Sequence, residues 1–318
     1  AKDAAAMNAL IDVVFPVFAI IAVGFLAGRT KVLGPDSAAA LNRFVYYFAL
    51  PPVLFVFPAR QPIADVLNWP FIAAFLGGAL LAFLLLLALN RLWLRRGSDD
   101  MALFGLNSVY PNTSYMGVPL FLTAFGPDGA MPAIIATVFG ITLMVGGAIA
   151  ALEATRAEGP TTAKVIGQVA ATLSRNPLLI ASALGIAASF AQLPIPAPIG
   201  NYLDLMASAA GPAALFALGL SLYGRRLRGD VAPLSCLLVL KLIAQPALTY
   251  VLAFHVFEMT PFWASGAVLL SALPVGAVAF VVAQKYDRQV GVTSSAMVLS
   301  TLLSVPTLSV LLILFGAG

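Results

Sequence analysis

Apolar residues run in blocks along almost the whole chain, and charges, Gly and Pro separate each block from the next. The blocks fall at 8–29, 36–58, 66–93, 101–125, 129–153, 177–193, 197–223, 232–256, 260–286 and 290–315. Runs of roughly 18 or more apolar residues recur among them, long enough at 1.5 Å per residue for a helix to cross ~30 Å of hydrocarbon. The pattern therefore predicts an all-α membrane protein with ten transmembrane helices, numbered here as segments 1 to 10. Segment 1 has no small-residue cleavage site and runs on to Arg29, so it reads as a retained helix. Residues 1–6, Ala-Lys-Asp-Ala-Ala-Ala, read as a remnant ahead of a native start at Met7.

The connections split by charge. Alternate loops hold Arg29 and Lys31; Arg91, Arg95 and Arg96; Arg156, Lys164 and Arg175; Arg225, Arg226 and Arg228; and Lys285 and Arg288. The other set holds only Lys2 and Arg60. Because Lys and Arg bias sets orientation, both termini are expected outside the cytoplasm and the longest connection, 154–176, inside it. Within that connector, Val165, Ile166, Val169 and Leu173 recur at helical spacing, which predicts a short surface helix from Thr161 to Leu173.

The connector divides the chain into 8–153 and 177–316, five segments each. An odd number per half forces opposite orientations, the arrangement of an inverted repeat. Two pairs of motifs match between the halves. Segment 2 carries Pro52-Val53-Leu54-Phe55 and segment 7 carries Pro212-Ala213-Ala214-Leu215-Phe216. Segment 4 carries Leu106-Asn107-Ser108-Val109-Tyr110-Pro111 and segment 9 carries Leu269-Leu270-Ser271-Ala272-Leu273-Pro274.

Composition agrees with a lipid environment: 61% of the 318 residues are hydrophobic and 9% are charged, with a mean hydropathy of +0.99. The net charge of +4 and pI near 9.3 are explained by basic cytoplasmic loops, so nucleic acid is not expected as a partner. The single cysteine, Cys236, excludes an intramolecular disulfide and a Cys-rich metal site.

Candidate chemistry lies at the prolines. A proline inside a helix removes one backbone donor and clashes with the carbonyl four residues back, so Pro111 and Pro274 should break segments 4 and 9 near mid-membrane. Around Pro111 stands a polar cluster of Asn107, Ser108, Tyr110, Asn112 and Thr113, in which Asn112 and Thr113 are placed to cap the second half-helix. Around Pro274 it thins to Ser271 and then Val275-Gly276, leaving the polarity to backbone amides. Two half-helices starting near one point aim their positive ends at it. Each end favours an anion by ~0.3–1 kcal/mol when exposed and up to ~2 kcal/mol when partly buried.

Those ends alone do not clearly offset a carboxylate's desolvation, of several kcal/mol. Lys241 in segment 8, with Gln245 one turn along the same face, is the candidate cation. It completes the attraction for an anion, responds to protonation, or bonds the carbonyls of a broken helix, and the sequence leaves all three open. A lone membrane proline is more often a tolerated kink than a site; matching prolines in two halves reverse that balance. Arg43 is expected to snorkel from the cytoplasmic end of segment 2. Asp204 and Glu153 are expected in solvent near helix ends, and His255 at the surface.

These residues resemble the auxin efflux carrier family, which includes plant auxin exporters and bacterial carriers of malonate-type carboxylates. The resemblance runs from about Phe15 to the C-terminus. It is carried by Asn42-Arg43-Phe44-Val45, Phe48-Ala49-Leu50-Pro51, Pro111-Asn112-Thr113, Met116-Gly117-Val118-Pro119-Leu120, Arg175-Asn176-Pro177, Ala210-Gly211, Phe216-Ala217-Leu218-Gly219-Leu220, Lys241, Gln245-Pro246, Leu273-Pro274-Val275-Gly276, Phe280-Val281 and Tyr286. It implies an elevator-type homodimer in which segments 1, 2, 6 and 7 form a scaffold and the rest a moving transport domain. Substrate would bind where segments 4 and 9 cross, at Asn112 and the backbone around Pro111 and Pro274. Several plant members are polar where this chain has Val275, and residues 241–246 look closer to the malonate-type carriers, which turns the expectation toward a small mono- or dicarboxylate.

The expected function is a secondary carrier of small organic anions in a bacterial inner membrane, with lipid as its surroundings and no cofactor. The candidate substrate contacts are Asn107, Ser108, Tyr110, Pro111, Asn112 and Thr113 in segment 4, and Ser271, Pro274, Val275 and Gly276 in segment 9. Lys241 and Gln245 in segment 8, and Pro51 and Leu54 in segment 2, complete the set. No metal ligands are expected. An intramembrane protease would need paired aspartates or a Ser-His pair at depth, and the only histidine lies at a helix end. A channel or sensor on the same fold stays open. The bile-acid sodium symporters share a similar architecture, but no acidic cluster stands within the segments to favour sodium.

Overall fold

The computed structural model describes residues 2–62, 67–155, 161–225, 227 and 229–315. Arg156, Arg226 and Arg228, and the part of the predicted connector at 156–160, lie outside the described residues. All regular structure among the described residues is helical. In chain order the helices are α1 (Lys2–Arg29), α2 (Pro35–Arg60), α3 (Trp69–Leu94), α4 (Ser98–Val109), α5 (Thr113–Phe125), α6 (Ala130–Ala154), α7 (Thr162–Ser174), α8 (Pro177–Phe190), α9 (Ala197–Leu222), α10 (Val231–Val256), α11 (Pro261–Ser271), α12 (Ala277–Tyr286) and α13 (Val290–Phe315).

By length and apolarity six of these qualify on their own as membrane-crossing helices: α2, α3, α6, α9, α10 and α13. A seventh span is possible in composition if α7 and α8 are joined, but these meet at a 73° bend. Shorter apolar helices make up α5, α11, α12 and the stretch Val14–Arg29 of α1.

Local sequence explains where helices start. Asn68 accepts from the Phe71 amide at 3.0 Å to cap α3, Thr161 accepts from the Lys164 amide to cap α7, and Asn176 accepts from the amides of Leu178 and Leu179 to cap α8. Pro70, Pro177 and Pro261 sit in first turns, where a missing N–H costs nothing. Proline inside a helix has a different effect. The turns Val45–Ala49, Thr113–Gly117 and Leu240–Ala244 widen to π geometry immediately ahead of Pro51, Pro119 and Pro246. The wider turn accommodates a residue that cannot donate to the carbonyl four positions back.

Two sets of helices pack most closely within themselves. In one, α1 lies against α9, α8 against α2, and α2 against α9. A methyl group on Gly24 of α1 would overlap the carbonyl oxygen of Phe216 on α9, and one on Gly185 of α8 would overlap the carbonyl oxygen of Phe55 on α2. Gly219 of α9 meets the Ile21 carbonyl in the same way. Arg60 and Asp204 pair through two hydrogen bonds of 2.8 and 2.9 Å between α2 and α9.

In the other set, α3 packs on α10 and α11, α4 on α3 and α6, and α12 on α13. Arg225, just past α9, touches both sets. It donates to the Ser221 carbonyl and, at 3.3 Å, to Ser294 Oγ of α13, and lies 3.8 Å from the ring centre of Phe280 on α12. Burial pushes its guanidinium down to about 10.

The predicted short helix of the connector is present as α7, whose Val169 and Leu173 pack beside Gly146 of α6. Arg43 and His255 are exposed. One expectation is corrected: Glu153 is 5% exposed instead of solvated, because the Tyr286 hydroxyl at the end of α12 donates to its carboxylate at 2.7 Å.

The glycine contacts are testable. Gly185→Ala is expected to cost about 1–3 kcal/mol through the forced shift of α8 from α2, seen as a lower melting temperature in detergent. Gly167→Ala on α7 meets nothing within 4 Å and should be neutral or slightly stabilising.

Candidate functional site

Helices α4 and α5 are separated by Tyr110-Pro111-Asn112, and α11 and α12 by Ala272 to Gly276. The two breaks cross. Pro111 and Val275 form an antiparallel backbone bridge, in which the Asn112 amide donates to the Pro274 carbonyl at 2.8 Å and the Gly276 amide to the Tyr110 carbonyl at 3.0 Å. The Val275 amide donates to Ser300 Oγ of α13 at 3.0 Å. Pairing the breaks thus satisfies backbone groups that neither helix could satisfy alone.

The carbonyls at the ends of the first half-helices are met from α10. Lys241 Nζ donates to the Ser271 carbonyl at 2.6 Å and to Gln245 Oε1 at 2.9 Å, and Gln245 Nε2 donates to the Val109 carbonyl at 2.9 Å. Both residues are fully buried. Of the sequence readings of Lys241, this geometry is the carbonyl-bonding one, and it uses two of the three ammonium donors.

The side chains of the first break are treated differently. Asn107, Tyr110, Asn112 and Thr113 are buried, yet Asn107 Oδ1, the Tyr110 hydroxyl, both polar atoms of Asn112 and Thr113 Oγ1 have no hydrogen-bond partner among the described residues. Asn107 Nδ2 is satisfied by Thr293 Oγ1 at 2.8 Å. The expectation that Asn112 and Thr113 cap α5 is corrected. Asn112 occupies the cap position, but its backbone conformation leaves the side chain off the helix amides, and its carbonyl instead accepts from Met116 and Gly117. An unpaired buried polar group costs about 1–3 kcal/mol, so a cluster of them is unusual unless something else supplies the bonds.

Other predicted residues take structural positions. Ser108 and Ser271 donate to carbonyls of their own helices, Phe104 at 2.8 Å and Val268 at 2.7 Å. Gly276 leaves room for the Tyr110 ring, which a Cβ there would overlap. Leu54 is buried in the main core of α2 and Pro51 is half-buried beside it; both stand outside the crossover's hydrogen-bond network. Sequence reasoning missed Ser300 and Thr293. The run of Ser and Thr at 293–295, 300, 301 and 304 inside an apolar helix was the available signal. A cavity of about 280 Å³ opens between α1, α5 and α9, about two to three turns along α5 from the crossover, lined by Pro119, Thr123, Ser208 and Gly211 among others. Among the described residues no three His, Cys, Asp or Glu side chains converge as metal ligands.

Apolar helices of spanning length, packed around two interhelix breaks that cross at buried polar side chains, are those of an integral membrane protein, and its class is a membrane transporter by family. A family model described as "Membrane transport protein" matches residues 9–312, and the chain belongs to that family, the family of the auxin efflux carriers. It is 31% identical over 313 residues to the "Putative malonate transporter" of Rhizobium meliloti (strain 1021), covering 98% of both chains. It is 29% identical over 313 residues to an "Uncharacterized transporter" of Methanothermobacter thermautotrophicus, covering 93% of this chain and 95% of that one. A shorter similarity, 34% over 128 residues, joins it to the "Probable auxin efflux carrier component 1d" of Oryza sativa subsp. japonica, covering 38% of this chain and 22% of that one.

Asn112 and Ser300 should separate in a stability assay. Asn112→Ala removes unpaired atoms and is expected to leave the melting temperature unchanged or higher. Ser300→Ala strands the Val275 amide and should cost about 1–3 kcal/mol.

Proposed function

We propose that this transporter is a secondary carrier of small organic anions, carboxylates of the malonate or auxin kind, bound where the two broken helices cross. The observation that carries the reading is the group of buried, unpartnered donors and acceptors at Tyr110, Asn112 and Thr113, at the start of α5. Amide and hydroxyl hydrogens can donate to a carboxylate, and the first-turn amides and positive dipole end of α5 favour the same charge. Relatives named for malonate and for auxin, both carboxylic acids, support the class of substrate.

The reading takes ten spans in two inverted halves, 8–153 and 177–316, joined by the connector at 154–176. Broken helices α4/α5 and α11/α12 then count as one span each, and α7 lies along the membrane surface. Support for the repeat comes from packing as well as sequence: Gly24 with Phe216 and Gly185 with Phe55 are the same contact with the halves exchanged, and the two members of each matching pair are equally far apart in the chain. The close-packed set α1, α2, α8 and α9 is the proposed scaffold, and the remainder the moving body of an elevator. The cavity between α1, α5 and α9 lies along the boundary on which they would slide. Both termini outside the cytoplasm, a bacterial inner membrane and a homodimer complete the proposal.

Thermal melting against malonate, indole-3-acetate, lactate, benzoate and neutral analogues tests it. Carboxylates are expected to raise the melting temperature, since a ligand of the native state alone stabilises it, and Asn112→Ala is expected to lose both that shift and saturable uptake. Stabilisation by neutral analogues but by no anion, or normal uptake by Asn112→Ala, would overturn the site. Lys241→Ala is further expected to weaken anion binding more than Arg43→Ala, measured by the same shifts; the reverse order would put the relevant positive charge on α2.

A further inference from the structure

Two helices stop at the crossover, α4 at Val109 and α11 at Ser271, and both stopping points are bonded from one turn of α10. A helix C-terminus carries roughly −0.5 of an elementary charge, so two converging ends add to about −1. Facing them is Lys241, one ammonium, donating directly to the Ser271 carbonyl and through Gln245 to the Val109 carbonyl. Among the described residues no carboxylate pairs with Lys241, so the charge buried with it is that of the carbonyl ends. Carbonyls at half-helix C-termini are the groups with which membrane carriers hold a free coupling cation.

We propose that the Lys241 ammonium is a tethered cation that permanently fills such a site, so that this protein works without sodium or another free alkali cation. Gln245 is a positioning residue: its Oε1 holds the ammonium and its amide extends the bond to the second helix end. The stem of Lys241 supplies a cation that can neither dissociate nor be exchanged, and neither helix end is left bare during the cycle. The proposal rests on the carrier reading for the role of the crossover, and it is independent of which anion is carried.

The test compares wild type with Lys241→Ala in choline, sodium and methylammonium chloride at equal ionic strength, read first by melting temperature with no anionic substrate present. Wild type is expected to melt alike in all three. Lys241→Ala is expected to melt lower in choline and to recover saturably with sodium or methylammonium, which replace the lost charge. Lys241→Met fills the stem's volume without charge and should not respond. In proteoliposomes, wild-type anion uptake should be equal in sodium and choline, with Lys241→Ala uptake lost in choline and restored in part by the small cations. Sodium-dependent melting or uptake of wild type would overturn the proposal. So would a Lys241→Ala protein indifferent to every cation, or one that cannot be recovered even in methylammonium. A wrong anion assignment shows itself separately, as absent wild-type uptake with the melting results intact.

Discussion

Inside a bilayer a helix break frees backbone N–H and C=O groups that water cannot reach, and each must find a partner in the protein. That demand organises everything around the crossover. The Asn112 and Gly276 amides bond across the pair of breaks, Ser300 reaches in from α13 for the Val275 amide, and Lys241 with Gln245 reaches in from α10 for the carbonyls of Ser271 and Val109. Four half-helices, α4, α5, α11 and α12, and two further helices, α10 and α13, are thereby tied to one point.

The same point contains polar groups under the opposite condition. The backbone groups just named are paired, whereas Asn107, Tyr110, Asn112 and Thr113 keep side-chain atoms that no described residue satisfies. Folding alone gives no reason to retain such groups, since apolar replacements of similar shape would cost less. Local departures from satisfied packing are expected where function is placed, and here the paired backbone provides a rigid frame for them.

Much of this was legible along the chain. Pro111 and Pro274 mark both breaks because the missing N–H and the ring clash act on the backbone nearby, whatever surrounds them. Lys241 and Gln245 share a face because four residues make about one turn, and the apolar spacing of Val165, Val169 and Leu173 was enough to locate α7. Other features were not legible. Glu153 reads as a helix-end carboxylate until Tyr286 is brought to it. Asn112 reads as a helix cap until its backbone angles turn the side chain away. Ser300 is one hydroxyl among several on α13, and nothing adjacent to it in sequence distinguishes it.

The sequence by itself determined that the chain is helical and lives in lipid, where its helices break, and which polar residues lie at the breaks, because hydropathy, helix period and proline geometry act within a few residues. The tertiary structure decided which polar atoms are used and which are left over. That Lys241 bonds Ser271, that Gln245 bonds Val109 and that Pro111 pairs with Val275 are contacts between residues far apart in the chain. Their partners are set by how α4, α10, α11 and α13 pack in three dimensions. A hydrogen bond reaches only about 3 Å, so no local pattern specifies which distant group will lie within it.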